Sequence, residues 1–269
     1  MLWPMAQTVG ELFPKTDRVQ AWLSLKWGSR KETPVQVAER MLLMLPLVRD
    51  RFGDRDTYWR MSPGGGDVPD SPEALGALIQ SPRQRDVPDS LVDTGTRTAR
   101  FTLMAGNEPG QPLFSFDVEA GRSHFWKPNE IALQPPADFV VGSPEEARGW
   151  FRELVRIWQP ETASLTTPES RDLCRERRKQ LGIGHRPFDA PSVGYLNWFS
   201  RTGYGRLPFP LLDAVAEEDP AGTLIAAKDW TAAAVADLYA ELEIMVMLRP
   251  MPEVQVLDGP FNEDGAPIG

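Results

Sequence analysis

The sequence predicts an α+β fold in which helices pack on one face of a largely antiparallel β-sheet. Two observations carry this prediction. Apolar and polar residues alternate through Val19–Trp27 and again through Leu113–Val118, which is the period of a strand with one buried face. Other segments repeat their apolar residues at helical spacing, behind a serine or threonine followed by proline. Strands intermingled with helices in this order are typical of α+β proteins.

The first half of the chain begins with the strand Val19–Trp27 and continues into a long helix. Thr33-Pro34-Val35-Gln36 is a capping box, in which the threonine and glutamine side chains satisfy backbone amides at the helix start. Pro46 lies inside this helix, lacks an amide hydrogen and clashes with the preceding turn, so we expect the helix to kink or end there. The following Gly-, Pro- and Asp-rich stretch, 62–90, predicts a surface excursion with one short helix at Pro72–Gln80.

The middle of the chain predicts an antiparallel meander, because its strand candidates are separated by short glycine-containing connections. These strands are Ala99–Ala105, Leu113–Ala120 and Glu130–Gln134.

The second half mixes helices with strands. Ser143-Pro144-Glu145-Glu146 is a second capping box and opens a helix with a broad aromatic stripe. Thr167-Pro168 opens an arginine-rich helix that extends to about Gln180. The remaining predicted elements are the strands Val193–Ser200 and Thr223–Ala227 and a last helix from about Ala232 to Met247.

Length and composition indicate an ordinary globular protein. The chain has 269 residues, of which 41% are hydrophobic and 25% charged, and it contains no run of about 18 apolar residues that could cross a bilayer. Its first residues lack the features of a secretory signal, so we expect a cytoplasmic protein. We predict a single domain over 1–269 with a core at about 19–248 and an irregular tail at 249–269. A division into two lobes near Pro136 is the alternative.

Catalytic and metal-binding residues are scarce. Cys174 is the single cysteine, and with His124 and His185 it provides too few soft ligands for a four-ligand zinc site. We therefore predict no metal, no cofactor and no enzymatic activity, although a hard-metal site built from carboxylates stays open. Cys174 with His185 as its base, or the neighbouring carboxylates Glu217 and Glu218, would be the residues of a hydrolase if this prediction were wrong.

The negative charge of the chain is concentrated in its C-terminal part. The net charge is −9, and residues 213–269 carry 12 acidic residues against two basic ones, whereas the preceding part is nearly neutral. A concentrated negative surface repels nucleic acid and steers basic protein partners. The alternative is that this charge serves only solubility.

Trp27-Gly28-Ser29-Arg30-Lys31-Glu32 follows a strand and precedes a long helix. This arrangement resembles the signature of the immunity protein 52 family of bacterial polymorphic toxin systems. Trp59, Val193–Ser200 with its Trp198, and Gly222–Ile225 fall in the order expected for that family. The resemblance extends from about residue 19 to 248.

The resemblance implies a non-enzymatic antidote that binds and neutralises a cognate secreted toxin. The toxins of that family are commonly restriction-endonuclease-like nucleases, often delivered by type VI secretion. The partner expected here is therefore a basic nuclease domain, with no direct binding to nucleic acid or membrane. An adaptor or chaperone that loads an effector onto a secretion machine is the alternative, and a hydrolase is less favoured.

Two sets of residues follow from the resemblance and the charge. The family motif residues are expected to hold the fold, with Gly28 ending the strand and Arg30 acting as a cap or ion-pair residue; these are Trp27, Gly28, Arg30, Trp59 and Trp198. The toxin contacts are predicted from charge alone and are Asp213, Glu217, Glu218, Asp219, Asp237, Glu241, Glu263 and Asp264.

Overall fold

The computed structural model describes residues 7–13, 21–28, 30, 32–62, 66–79, 97–106, 112–121, 128–184, 190–208, 210–212 and 214–251. These residues form nine strands and seven helices. The strands are β1 Trp22–Trp27, β2 Thr57–Ser62, β3 Arg97–Ala105, β4 Pro112–Ala120, β5 Asn129–Leu133, β6 Thr162–Thr166, β7 Leu196–Ser200, β8 Ala214–Asp219 and β9 Gly222–Ala227. The helices are α1 Val9–Leu12, α2 Pro34–Arg49, α3 Pro72–Leu78, α4 Pro144–Trp158, α5 Pro168–Gln180, α6 Arg201–Tyr204 and α7 Ala232–Ile244.

All nine strands belong to one antiparallel sheet with the order β2-β3-β4-β5-β1-β6-β7-β9-β8. The α+β class and the antiparallel meander β3-β4-β5 are therefore confirmed. The first strand, β1, lies in the middle of the sheet, where Leu25 is opposite Ile131 of β5 and Ala163 of β6. Because β1 connects the two halves of the sheet, the residues at its end are in a position to influence both.

One face of the sheet is covered by α2 and α4. Alternate residues of β1 on this face are buried, as the sequence predicts. The indole of Trp27 stacks on that of Trp158 with ring centroids 5.4 Å apart, and the Trp150 indole donates a hydrogen bond to the Leu47 carbonyl at 3.2 Å. Aromatic side chains thus join the two helices to each other and to the central strand.

The opposite face is polar in one half and covered in the other. On β3 and β4 this face carries an exposed ion pair between Arg100 and Asp117, with nitrogen and oxygen 2.8 Å apart. By contrast, β6, β7 and β9 are buried along their whole length. Helices α5 and α7 pack together on this side, where the Cys174 thiol donates a long hydrogen bond to the Val235 carbonyl at 3.9 Å. Helices therefore cover one face, as predicted, in the half of the sheet that contains β3 and β4. In the half that contains β6, β7 and β9, they cover both faces.

The predicted capping boxes are confirmed at Thr33 and Ser143, whereas three strands were not predicted. Strand β6 is buried on both faces, and its five residues alternate between small polar residues and Ala163 and Leu165, which is a weak signal for a strand. Strand β2 mixes aromatic, basic and polar residues, and β8 ends in three consecutive acidic residues. Residues 19–20 of the first predicted strand and most of the predicted tail, 252–269, lie outside the described residues.

Helix α2 was expected to kink or end at Pro46. It does not end there, because it continues to Arg49. The proline removes one hydrogen bond, but Met44, Leu45 and Val48 are all buried around it. Tertiary packing therefore outweighs the local cost of the proline. A 3₁₀ turn, Asp50–Phe52, follows directly.

Candidate functional site

The motif residues at the end of β1 bind the segment 158–161, which connects α4 to β6. The Arg30 guanidinium donates hydrogen bonds to the Trp158 carbonyl at 3.0 Å and to the Gln159 carbonyl at 3.4 Å. It also lies over the Trp27 ring, 5.0 Å from the centroid. Gln159 has a positive φ of 46°, which a residue other than glycine adopts at some cost. Arg30 thus caps the C-terminal end of α4, where a cation is favourable.

The next residues of the same segment accept hydrogen bonds from Gly28 and Trp198. The Gly28 amide donates to the Glu161 carboxylate at 2.9 Å, and the Trp198 indole donates to the Pro160 carbonyl at 3.0 Å. The Asn129 side chain donates to the Gly28 carbonyl at 2.6 Å. Burial raises the pKa of Glu161, and the hydrogen bond from Gly28 opposes this rise. Four motif residues, at and after the end of β1 and on β7, therefore lie around one short connection that no local sequence pattern indicates.

Glu32 adds a buried carboxylate to this cluster. It forms ion pairs with Arg40 and with Arg30, whose Nε lies 3.3 Å from the carboxylate, and its side chain is 3% exposed. Burial lowers the pKa of Arg30, and the charge of Glu32 opposes this effect. Two arginines around one buried carboxylate connect the end of β1 to α2, and removing both of them would leave the Glu32 charge buried without these partners.

Trp59 lies apart from this cluster. It is buried on β2, and its ring meets that of Phe116 edge-on with centroids 5.7 Å apart. The role of the motif in stability stays a prediction. The hydrogen bonds, ion pairs and ring contacts described above are the interactions through which it would act.

The predicted toxin contacts on β8 carry arginine partners. Glu217 forms ion pairs with Arg152 and with Arg148, the latter at 3.4 Å. Glu218 pairs with Arg201 and accepts a hydrogen bond from the Thr223 hydroxyl at 3.0 Å. The hydrogen bond from Arg201 is the main reason why the pKa of Glu218 is lowered.

Asp219 has a different role. Its carboxylate accepts a hydrogen bond from the Ala221 amide at 2.8 Å and so closes the turn between β8 and β9, while its carbonyl accepts from Arg201 at 3.0 Å. The two faces of β8 therefore point their acidic groups at different arginines, from α4 on one face and from α6 on the other.

The predicted contacts on α7 are also engaged. Asp237 forms an ion pair with Arg177 of α5, whereas Glu241 accepts two hydrogen bonds of 3.2 Å from the Leu212 amide. Asp213, Glu263 and Asp264 lie outside the described residues. Since arginines from three other helices face these acidic groups, the local charge is smaller than the sequence count indicated.

The arginine-rich helix α5 makes internal pairs along its length. Arg175 pairs with Asp172 at 2.7 Å and Lys179 with Glu176 at 2.8 Å, each three residues apart. Arg171 lies over the Trp22 ring, 4.8 Å from its centroid. Because these basic side chains are paired within the helix, they are less available to contact the phosphates of a nucleic acid.

The cysteine considered as a nucleophile is buried. Burial raises the pKa of Cys174 to about 12, so its thiol is protonated at neutral pH. His185, its proposed base, lies outside the described residues. Among the residues that the structure describes, no three metal-ligating side chains lie close enough together to hold an ion.

The fold defined by this geometry is an antiparallel α+β sheet with helices on both faces of one half. Among solved structures, it is similar to the T6SS protein PA0821 of Pseudomonas aeruginosa, with a TM-score of 0.51 and 13% sequence identity over 86% of this chain and 76% of that chain. At this identity the likeness shows the fold alone. No family model and no curated protein match the sequence, so membership of the immunity protein 52 family stays a prediction.

Proposed function

We propose that this protein is an immunity protein that binds and neutralises a toxin of a type VI secretion system. The observation that carries the proposal is the fold shared with a T6SS protein over most of both chains. The resemblance of the Trp27–Glu32 motif to an immunity family gives the finer assignment. We further propose that the toxin is a basic nuclease domain and that neutralisation takes place in the cytoplasm.

Binding without catalysis is supported by the way in which the chain uses its reactive groups. The Cys174 thiol is buried and protonated, Glu217 and Glu218 face arginines, and Glu146 accepts the Ser143 amide at 2.6 Å as part of a helix cap. Each of these groups has a structural partner. None of the helices in the described ranges is long and apolar enough to span a bilayer.

The acidic edge of the sheet, strand β8 with Glu217, Glu218 and Asp219, is proposed to attract the toxin as it approaches. Because its carboxylates are held by arginines, they are ordered before the toxin arrives, which reduces the entropy lost on binding. Their charge would chiefly accelerate association with a basic partner, and added salt should slow that association.

A growth rescue assay tests the proposal. The family resemblance implies that the antidote is encoded beside its toxin, so the catalytic domain of a toxin encoded by the neighbouring reading frame would be expressed alone in cells with or without this protein. An immunity protein restores growth, whereas an effector-loading adaptor does not. Cys174→Ala should rescue as well as the wild type, while a hydrolase that depends on this thiol would lose its effect.

Charge variants test whether β8 attracts the toxin. Glu217→Lys and Glu218→Lys should weaken rescue, and the isosteric Glu218→Gln should have a smaller effect because its amide oxygen still accepts a hydrogen bond. If the wild type fails to rescue, the proposed function is wrong. If all charge variants rescue fully, the proposed attraction by β8 is wrong.

A further inference from the structure

The C-terminal end of α7 brings together the most exposed large apolar side chains of the described chain. Leu212 is 80% exposed, Ile244 77% and Val246 63%. The Leu212 amide is bound by Glu241, and Ile244 follows Glu241 by three residues and so lies on the same side of the helix. We name Leu212, Glu241, Ile244 and Val246 the α7 end surface.

The backbone at this surface is strained. Val246 has a φ of +58°, a conformation that glycine adopts freely but that is costly for a β-branched residue. The surrounding hydrogen bonds define a Schellman motif, with the Met247 amide donating to the Leu242 carbonyl and the Val246 amide to the Glu243 carbonyl, both at 3.0 Å. Glycine would satisfy this turn at lower cost, yet the chain places an exposed valine there.

The charge at this surface is also unfavourable for the isolated chain. Glu241 lies in the last turn of α7, where the negative pole of the helix is located and where the helix carries no basic residue. Glu241 contacts a backbone amide, so its negative charge is not balanced by that contact. A cationic partner would interact favourably with both the Glu241 carboxylate and the helix end.

We propose that the α7 end surface is the docking site for the toxin. The matching surface of the toxin is an apolar pocket surrounded by basic residues. The proposal rests on the proposed function and specifies the surface and chemistry through which it acts. Apolar side chains surrounded by acidic groups match a basic partner, whereas a second copy of this chain would place like charges opposite each other.

Binding measurements with matched variants test this proposal. The probe is the purified catalytic domain encoded by the neighbouring reading frame, titrated by calorimetry. Ile244→Ala and Leu212→Ala should each weaken binding by about tenfold, as expected for apolar anchors at the centre of an interface. Leu43→Ala, at a 61% exposed leucine on α2, is the control and should change the affinity by less than about twofold.

Val246→Gly separates binding from folding. It should raise the midpoint of thermal unfolding by roughly 1–3 °C, because strain is relieved, yet weaken binding by about threefold or more. A residue with a merely structural role would not change the two quantities in opposite directions. Glu241→Gln should slow association by several-fold at low salt and have little effect at high salt.

The outcomes distinguish the two proposals. If the wild type binds and the variants of the α7 end surface bind equally well, this docking surface is overturned while the immunity function stands. If the wild type itself does not bind the probe, both the surface and the proposed function are overturned.

Discussion

Replacing Arg30 tests whether the motif at the end of β1 stabilises the fold. Its guanidinium donates one well-formed hydrogen bond to the Trp158 carbonyl at 3.0 Å and a longer one to Gln159 at 3.4 Å. A hydrogen bond from a charged donor contributes about 1.5–3 kcal/mol, and the cation–π contact with Trp27 adds about 0.5–1 kcal/mol. Since Glu32 keeps Arg40 as a partner, its desolvated charge stays paired. We therefore expect Arg30→Ala to lower the free energy of unfolding by about 2–4 kcal/mol.

Urea denaturation followed by tryptophan fluorescence measures this change. Arg175→Ala is the matched control, because its pair with Asp172 is more than half exposed and should contribute at most about 0.5 kcal/mol. Arg30→Lys should recover only part of the loss, since lysine has the charge but not the planar fork of donors. If Arg30→Ala cost no more than the control, the contacts described for this residue would not stabilise the protein. If it kept full stability but lost toxin binding, the motif would be a functional site.

Three further predictions follow from the same structure. Burial raises the pKa of Glu161 above its ordinary value of 4.5, so the folded state binds this proton more tightly than the unfolded chain and loses stability as the pH rises through that range. Glu161→Gln should therefore be more stable relative to the wild type at pH 7 than at pH 4, and equal differences in urea midpoint at both values would contradict this. Cys174 should not react with a thiol reagent in the native protein at pH 8 but should react in concentrated urea, and rapid native labelling would show that it is accessible. Trp198→Phe removes the indole donor to the Pro160 carbonyl and should cost about 1–3 kcal/mol in the same urea assay, and a cost near zero would mean that this carbonyl finds another donor.

Features that depend on neighbouring residues could be predicted from the sequence. The helix starts at Thr33 and Ser143 were identified because a capping box involves only four residues. Strand β1 was identified because one of its faces is buried and the other is not. Strand β6 was missed although its residues alternate between polar and apolar, because the run has five residues and only one large apolar side chain, Leu165; all five residues are buried.

Features that depend on distant residues could not be predicted. The segment 158–161 receives its hydrogen bonds from Gly28, Arg30 and Trp198, which lie 38 to 133 positions away in sequence. No local pattern in the segment indicates these partners. The motif predicted that Gly28 and Arg30 hold the fold, but only the sheet order, with β1 beside β6, explains why they meet this connection.

The predicted acidic surface illustrates the same limit for charge. A count of acidic residues treats all of them alike, but the fold sets arginines against Glu217, Glu218 and Asp237 and leaves Glu241 on a backbone amide. Long-range attraction depends on the net charge that remains after such pairing, whereas affinity depends on which groups are desolvated at the contact. The charge of the C-terminal part can therefore steer a basic partner without indicating where it binds. At the end of α7, exposed apolar side chains, a strained valine and the Glu241 carboxylate near the negative helix pole coincide, and a basic partner that buries the apolar side chains would offset the cost of this arrangement.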